Sequence, residues 1–135
     1  MADTAHGKLL NNVLAAIYEK YGRDACVQKI NVINAKAIGR GGTTRHVRSA
    51  QDGTADIVGC ICGVPVAIEI KHGKDTQSQA QKDWQQAWHK AGGVYMLGIS
   101  VKQVTDNLAV FVPRYQNVVT KSDAGSLYGD LGVND

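Results

Sequence analysis

The sequence lacks the features that mark membrane, secreted and zinc-binding proteins. No apolar run approaches the roughly 18 residues that a transmembrane helix requires. The first seven residues contain no basic region followed by an apolar stretch, so we expect no signal peptide. The chain has three cysteines, an odd number, without a Cys-x-x-Cys pair or a histidine cluster. We therefore expect reduced, buried thiols at Cys26, Cys60 and Cys62 in a cytoplasmic protein.

Acidic residues are missing from one long stretch. No Asp or Glu lies between Lys29 and Gln51, and the basic residues there are Lys29, Lys36, Arg40, Arg45 and Arg48, with His46 among them. The net charge of the whole chain is only +3, so this uneven distribution is more informative than the total. The stretch fits either a solvated loop or a surface that contacts phosphate groups. Its glycine-rich part, Gly39 to Gly42, lacks the Gly-Lys-Ser/Thr signature of a nucleotide-binding loop.

The remaining composition is that of an ordinary globular domain. Of the 135 residues, 44% are hydrophobic and 20% are charged, which is typical of a chain that buries one core. We expect one domain over residues 1–135, with its core at about residues 5–112 and a C-terminal extension over residues 113–135.

Hydrophobic periodicity predicts an α/β or α+β fold. The first predicted elements are a helix over residues 5–21, between a Thr4 N-cap and Gly22, and at least one strand within 26–38. A hairpin of two strands then begins at Asp56 and ends at Lys71, with its turn at Gly63–Pro65. A helix over 78–91 and strands over 94–101 and 108–112 complete the predicted order. On the second helix, Trp84 and Trp88 favour core or dimer packing over base stacking.

Two acids and a lysine are predicted to meet on one face of the hairpin. In the run from Val66 to Lys71 the side chains alternate, which places Glu69 and Lys71 on the face opposite Ile70. Asp56 opens the preceding strand, so pairing across the turn brings it close to both. Two carboxylates beside one ammonium group indicate a divalent-metal site with a basic partner.

The pattern resembles the PD-(D/E)xK nuclease superfamily. The matching segments are Gly53-Thr54-Ala55-Asp56, then Glu69-Ile70-Lys71, then a helix that carries Ser78-x-x-Gln81 and ends at Gly92-Gly93. The resemblance is closest to the VRR-type nuclease domain, including its small stand-alone members from phages and bacteria. It implies a restriction-endonuclease-like core, with a mixed central β-sheet flanked by helices, in the cytoplasm of a bacterium or a phage-infected cell.

The resemblance also implies roles for individual residues. Asp56, Glu69 and the backbone carbonyl of Ile70 would bind Mg²⁺ or Mn²⁺. Lys71 would orient the attacking water and stabilise the transition state. Gln81 would orient water or a ligand carboxylate from the flanking helix. The family usually has a Glu near the start of the first helix. Here His6 substitutes, Glu19 serves instead, or the site has one carboxylate fewer.

These expectations amount to a metal-dependent deoxyribonuclease. Arg40, Arg45 and Arg48 are the residues that we expect to contact the DNA backbone, and His72 is a further candidate for a phosphate contact. A small chain has little surface for reading sequence, so we expect cleavage that is structure-selective, on branched or junction DNA, or non-specific, by a homodimer. The alternatives are a DNA-binding module that has lost the chemistry and a sequence-specific restriction-type endonuclease.

Overall fold

The computed structural model describes residues 4–31, 34–48 and 51–112, without the side chains of 34–37 and 45–48. The predicted C-terminal extension therefore lies outside the described residues. In chain order the elements are α1 (Ala5–Tyr21), β1 (Ala25–Lys29), β2 (Asn34–Ile38), β3 (Thr44–Arg48), β4 (Ile57–Ile61), β5 (Val64–Ile70), α2 (Gln79–Lys90), β6 (Val94–Gly98) and α3 (Val101–Phe111). Within the described ranges, every helix is too short or too polar to cross a bilayer.

A mixed four-stranded sheet forms the centre of the molecule, which confirms the predicted mixed α/β class. Its strand order is β1-β4-β5-β6. The β1–β4 and β4–β5 pairs are antiparallel, whereas β5 and β6 are parallel and are connected through α2. Strands β2 and β3 pair with each other as a separate two-stranded ribbon. This ribbon contains most of the acid-free basic stretch.

The hairpin of β4 and β5 has the predicted alternation but a different turn. Cys62 and Gly63 occupy the turn with φ of 50° and 81°, as two-residue hairpin loops require. Val64 and Pro65 already belong to β5, so the predicted turn over Gly63–Pro65 was placed too far along the chain. Ile57 lies opposite Ile68 in the β4–β5 register.

Helices cover both faces of the sheet. The main core lies between one face and helices α1 and α3, and its fully buried side chains include Ile17, Ile68, Ile70, Val104 and Leu108. On the other face, α2 packs Trp84 and Trp88 against a small cluster of Ala55, Ala67 and Tyr95. The two indole rings are stacked, with their centroids 5.0 Å apart. These tryptophans therefore pack against the sheet, in agreement with the prediction of a packing role.

The chain after β6 differs from the prediction. The strand expected over residues 108–112 is wrong, because Val101–Phe111 is helical, and the strand expected over 94–101 ends at Gly98. Apolar side chains at Val101, Val104 and Leu108 recur at helical steps and face the core. The Ser100 hydroxyl caps this helix by accepting a hydrogen bond from the main-chain N of Gln103 at 3.0 Å. A short apolar run such as 108–112 fits a strand or a buried helical segment equally well, and periodicity alone does not distinguish them.

The remaining helical predictions are confirmed, and the thiol prediction is wrong in part. The side chain of Thr4 caps α1, which gives way at Gly22 to a short 3₁₀ turn. All three cysteines are reduced thiols, but only Cys62 is buried. Cys26 and Cys60 are exposed because they lie on a part of the sheet face that no described helix covers with apolar side chains.

Candidate active site

Asp56 is fixed from three sides at the start of β4. Its main-chain carbonyl accepts a hydrogen bond from Ile30 N at 2.7 Å, which extends the β1–β4 ladder by one step. Its carboxylate oxygen Oδ2 accepts a hydrogen bond from Ile70 N at 2.9 Å. The same oxygen lies 3.2 Å from Nε2 of His6, on the first turn of α1. One more step of the β4–β5 register places Asp56 opposite Glu69, as the hairpin predicted.

Glu69 is a buried carboxylate with an unusual environment. The residue is 4% exposed, and its Oε1 accepts a hydrogen bond from Gln81 Nε2 at 2.9 Å. Within the described part of the chain, Oε2 is buried without a hydrogen-bond partner. Burial, and then the nearby Asp56 carboxylate, raises the pKa of Glu69 from 4.5 to about 7, although Lys71 acts in the opposite direction.

Lys71 is held beside this carboxylate by two hydrogen bonds. Its Nζ donates to Gln81 Oε1 at 2.9 Å and to the Thr76 carbonyl at 3.2 Å. The distance from Nζ to Glu69 Oε1 is 3.8 Å. The ammonium group is thus positioned by neutral oxygens next to the acid, and only 12% of the side chain is exposed.

Gln81 connects the lysine, the acid and the helix terminus. Its amide nitrogen donates to Glu69, and its Oε1 accepts hydrogen bonds from Lys71 Nζ and from Ser78 N, at 2.9 Å each. The Ser78 hydroxyl in turn accepts from Gln81 N at 3.2 Å, which completes a capping box at the start of α2. The partners determine the orientation of the amide, because a flipped amide would face Lys71 with a donor and Glu69 with an acceptor.

A close approach at Gly53 holds the start of α2 against the sheet. Gly53 has φ of 80°, and a Cβ atom at this position would lie 2.1 Å from the Ala80 carbonyl oxygen and 2.7 Å from Gln81 N. Only glycine fits here. The Gly53–Asp56 segment therefore positions Gln81 as well as Asp56.

His6 and Glu19 occupy opposite ends of α1. His6 contacts Asp56, as described above. Glu19 is exposed and lies thirteen positions further along the helix, or roughly 20 Å at the usual rise. One metal centre cannot use both residues, so His6 is the one that the fold brings to the site.

A second polar network, which the sequence did not reveal, lies beside Glu69. Gln77 Nε2 donates to Gln85 Oε1 at 2.9 Å and to the Tyr95 hydroxyl at 3.2 Å. Burial, with smaller contributions from the charges of Glu69 and Asp56, raises the pKa of Tyr95 to about 12. The four-residue spacing of Gln77, Gln81 and Gln85 was the available signal, although Gln77 precedes the Ser78 N-cap and contacts Gln85 from outside α2.

Three of the expected DNA-contacting residues belong to the β2–β3 ribbon, whereas His72 directly follows Lys71. Arg40 is exposed in the turn between β2 and β3. Arg45 and Arg48 belong to β3, and their side chains lie outside the description. His72 is exposed immediately after Lys71, and its main-chain N donates to Asp75 Oδ2 at 3.4 Å.

The donor set is compatible with a hard divalent cation. Asp56 and Glu69 contribute carboxylate oxygens, and the unpartnered Oε2 of Glu69 is a buried acceptor without a proton donor in the described residues. Mg²⁺ is commonly bound by one or two carboxylates while it keeps several waters. In residues 4–31, 34–48 and 51–112, no three His, Cys, Asp or Glu side chains are placed together to hold a metal ion. Any cation here would therefore depend on two carboxylates, a main-chain oxygen and water.

Comparisons with known proteins do not assign the chain to a family. Neither a scan against protein-family models nor a search of curated proteins returned a match.

Proposed function

We propose that the protein is a Mg²⁺- or Mn²⁺-dependent nuclease that hydrolyses phosphodiester bonds in DNA. The observation that carries the proposal is the buried Glu69 carboxylate, which faces Asp56 and is bonded through Gln81 to Lys71. Burying an acid that has one unpartnered oxygen destabilises the fold. Such an arrangement needs a functional reason, and cation binding supplies one.

Asp56, Glu69 and the carbonyl of Ile70 are the proposed cation ligands. A bound divalent cation acidifies water and neutralises charge at the scissile phosphate. Hydrogen bonds from Ile70 N and Gln81 Nε2 each leave other carboxylate lone pairs for this purpose. His6 stands where the resembling family has an additional acid, so we propose that it holds the Asp56 carboxylate in place.

Lys71 is the proposed donor to the transition state. Gln81 and Thr76 hold its ammonium group through oxygen acceptors, so the side chain needs little reorganisation to reach a phosphate oxygen or an attacking water. Among the described residues, Thr76 and Gln81 take two of the three N–H groups, which leaves the third for such a contact.

The decisive experiment is a cleavage assay on linear, flapped and four-way-junction DNA with Mg²⁺, Mn²⁺ or EDTA. We expect Lys71→Ala to lower the rate by about 10²- to 10³-fold, by analogy with loss of one transition-state donor. Lys74→Ala is the matched control, because Lys74 is an exposed lysine three positions away. Activity that survives both EDTA and Lys71→Ala would rule out this mechanism.

A DNA-binding module without nuclease activity is the second candidate. The observation that favours it is the hydrogen bond of His6 to Asp56, since an imidazole replaces the expected third carboxylate. Binding to all substrates without cleavage of any would support this candidate. A sequence-specific restriction-type enzyme would use the same residues and would cleave only certain linear duplexes in the same assay.

The remaining parts of the proposal concern the whole molecule. We propose a restriction-endonuclease-like core acting in the cytoplasm of a bacterium or phage-infected cell, as a homodimer that presents two sites to one duplex or junction. Sedimentation tests the assembly, because a strictly monomeric protein with full activity would contradict paired cleavage.

A further inference from the structure

Two exposed cysteines lie directly opposite each other in the central sheet. Cys26 of β1 pairs with Cys60 of β4 in the antiparallel register, and both residues are exposed. Directly opposite residues of an antiparallel pair project from the same face with their Cβ atoms about 4.5–5.5 Å apart. The two thiols are therefore neighbours on one open surface, although they are 34 positions apart along the chain.

The hydrogen-bond pattern identifies what kind of pair this is. Cys62 N donates to Asp24 O and Ile30 N donates to Asp56 O, both at 2.7 Å. Because hydrogen-bonded pairs alternate along an antiparallel ladder, the pair of Cys26 and Cys60 belongs to the same hydrogen-bonded set. Such pairs have Cα atoms about 5.5 Å apart, which is within the usual range for disulfides.

The strands approach each other closely next to the cysteines. A Cβ atom on Gly59 would lie 2.1 Å from the Cys26 carbonyl oxygen and 2.5 Å from Cα of Val27. The missing side chain at Gly59 therefore permits a short β1–β4 separation beside Cys60. Side chains of hydrogen-bonded pairs lie at the wide end of the cross-strand Cβ range, so a bond between the thiols requires their Cβ atoms to close to about 3.5–4.5 Å.

We propose that Cys26 and Cys60 form a reversible dithiol–disulfide site that reacts with low-molecular-weight disulfides. The thiolate of one cysteine attacks a sulfur of the small disulfide, forms a mixed disulfide and releases one small thiol. The thiolate of the other cysteine then attacks the protein sulfur of that mixed disulfide and releases the second small thiol. Two protein thiols are oxidised, one small disulfide is reduced, and the two protons pass to the released thiols.

The position of the bond gives it a structural consequence. The segment between Cys26 and Cys60 contains the whole β2–β3 ribbon and its basic residues. Oxidation joins the two ends of this segment at the sheet. The bond also pulls the strands closer than an unlinked pair requires, so we expect it to be readily reduced. The site is independent of the proposed nuclease activity.

Peptide mapping of the full chain tests the site. The protein is incubated with oxidised or reduced glutathione, free thiols are alkylated, and tryptic peptides of the monomeric fraction are analysed by mass spectrometry. We expect a linked pair of residues 24–29 and 49–71 after oxidised glutathione, with a mass lower by two hydrogens than the sum of the two peptides. Reduced glutathione should abolish the link.

Variants identify the bonded cysteines. Residues 49–71 also contain Cys62, so the link must persist in Cys62→Ala, and fragment ions of the wild-type peptide must show Cys62 alkylated. Cys26→Ser and Cys60→Ser should instead retain one glutathione adduct. The proposal would be overturned if the wild-type protein carried single glutathione adducts without a Cys26–Cys60 link, or if the link ran through Cys62.

Discussion

At the scale of single residues, Glu69 is the side chain on which the candidate site depends. Its Oε1 receives a hydrogen bond from Gln81, and its Oε2 is buried without a partner in the described residues. The acid is directly opposite a second carboxylate, and Lys71 compensates only in part. The charged form is therefore disfavoured until another positive charge arrives.

Thermal unfolding across pH tests this view of Glu69. The pKa of Glu69 is about 7 in the folded protein and 4.5 ordinarily. Between these values the folded state holds a proton that the unfolded chain releases, so this residue's contribution to the free energy of unfolding falls as pH rises. We expect the wild-type Tm to decline more than that of Glu69→Gln over this window. Mg²⁺ should raise the wild-type Tm more above pH 7 than below pH 5. Identical pH curves for the two proteins would contradict a raised pKa.

Gln81 has two roles that substitutions can separate. Gln81→Leu removes the hydrogen bonds to Glu69 and Lys71 together with half of the capping box, whereas Ser78→Ala removes only the hydroxyl cap. We expect Ser78→Ala to lower the free energy of unfolding by about 0.5–2 kcal/mol and to leave most activity intact.

For Gln81→Leu we expect a similar or larger loss of stability, about 1–3 kcal/mol, because Glu69 loses its hydrogen-bond donor. Its cleavage rate should fall about 10²-fold, since Lys71 and Glu69 lose their common partner. Chemical denaturation and single-turnover cleavage measure the two effects. Equal activity losses in both variants would mean that the glutamine acts only through the helix cap.

At the scale of elements, single side chains close both edges of the central sheet. On β1, the Tyr18 hydroxyl donates to the Val27 carbonyl and accepts from Val27 N. On β6, Gln103 accepts from Ile99 N at 3.0 Å and donates to the Leu97 carbonyl at 2.8 Å. Side chains from α1 and α3 thus occupy backbone groups that could otherwise pair with another strand.

The contact between the Gly53 turn and α2 is the element-scale feature with the clearest test. Gly53→Ala would place a methyl group 2.1 Å from the Ala80 carbonyl, so the start of α2 must move. We expect a stability loss of several kcal/mol from the clash and the strained φ together, and a cleavage rate at least ~10-fold lower because Gln81 is displaced.

Gly73→Ala is the matched control for Gly53→Ala. Gly73 also has positive φ, 63°, but a Cβ atom there meets nothing within 4 Å. It should therefore show only the backbone penalty of roughly 1–2 kcal/mol. Equal stability losses in the two variants would argue against a close approach at Gly53.

At the scale of the whole molecule, the β2–β3 ribbon and the candidate site differ in the sign of their charged residues. The β2–β3 ribbon carries basic residues without an acid, whereas Asp56 and Glu69 lie on the central sheet. A polyanion would be attracted to the first region and repelled by the second unless a cation is bound. If the protein is the proposed nuclease, we expect the DNA backbone to contact the ribbon and the scissile phosphate to require the cation.

Salt-dependent binding tests the role of the ribbon. Arg40 is exposed in its turn, and we expect Arg40→Ala to weaken DNA binding equally for different sequences. The slope of log K against log salt should become shallower by about 0.9, which corresponds to one lost phosphate contact. Arg23→Ala is the control, because Arg23 is exposed in the short turn that follows α1. An unchanged slope for Arg40→Ala would remove this residue from the interface.

The sequence by itself determined the features that depend on neighbours along the chain. The alternation in β5 assigned Glu69 to the face opposite Ile70, and helical periodicity located α1 and α2, with a threonine cap predicted for α1. Turn chemistry predicted the hairpin, although the turn itself begins at Cys62. These signals are local because side-chain direction and capping depend on a few consecutive residues.

Only the tertiary structure decided the features that join distant segments. It brought His6 to Asp56 across 50 positions and left Glu19 at the far end of α1. It also exposed Cys26 and Cys60, because burial depends on which sheet surface a helix covers. The segment from Val101 is a helix, because its apolar stripe packs against the main core. Burial and long-range contact are properties of the packed chain, so no local pattern could specify them.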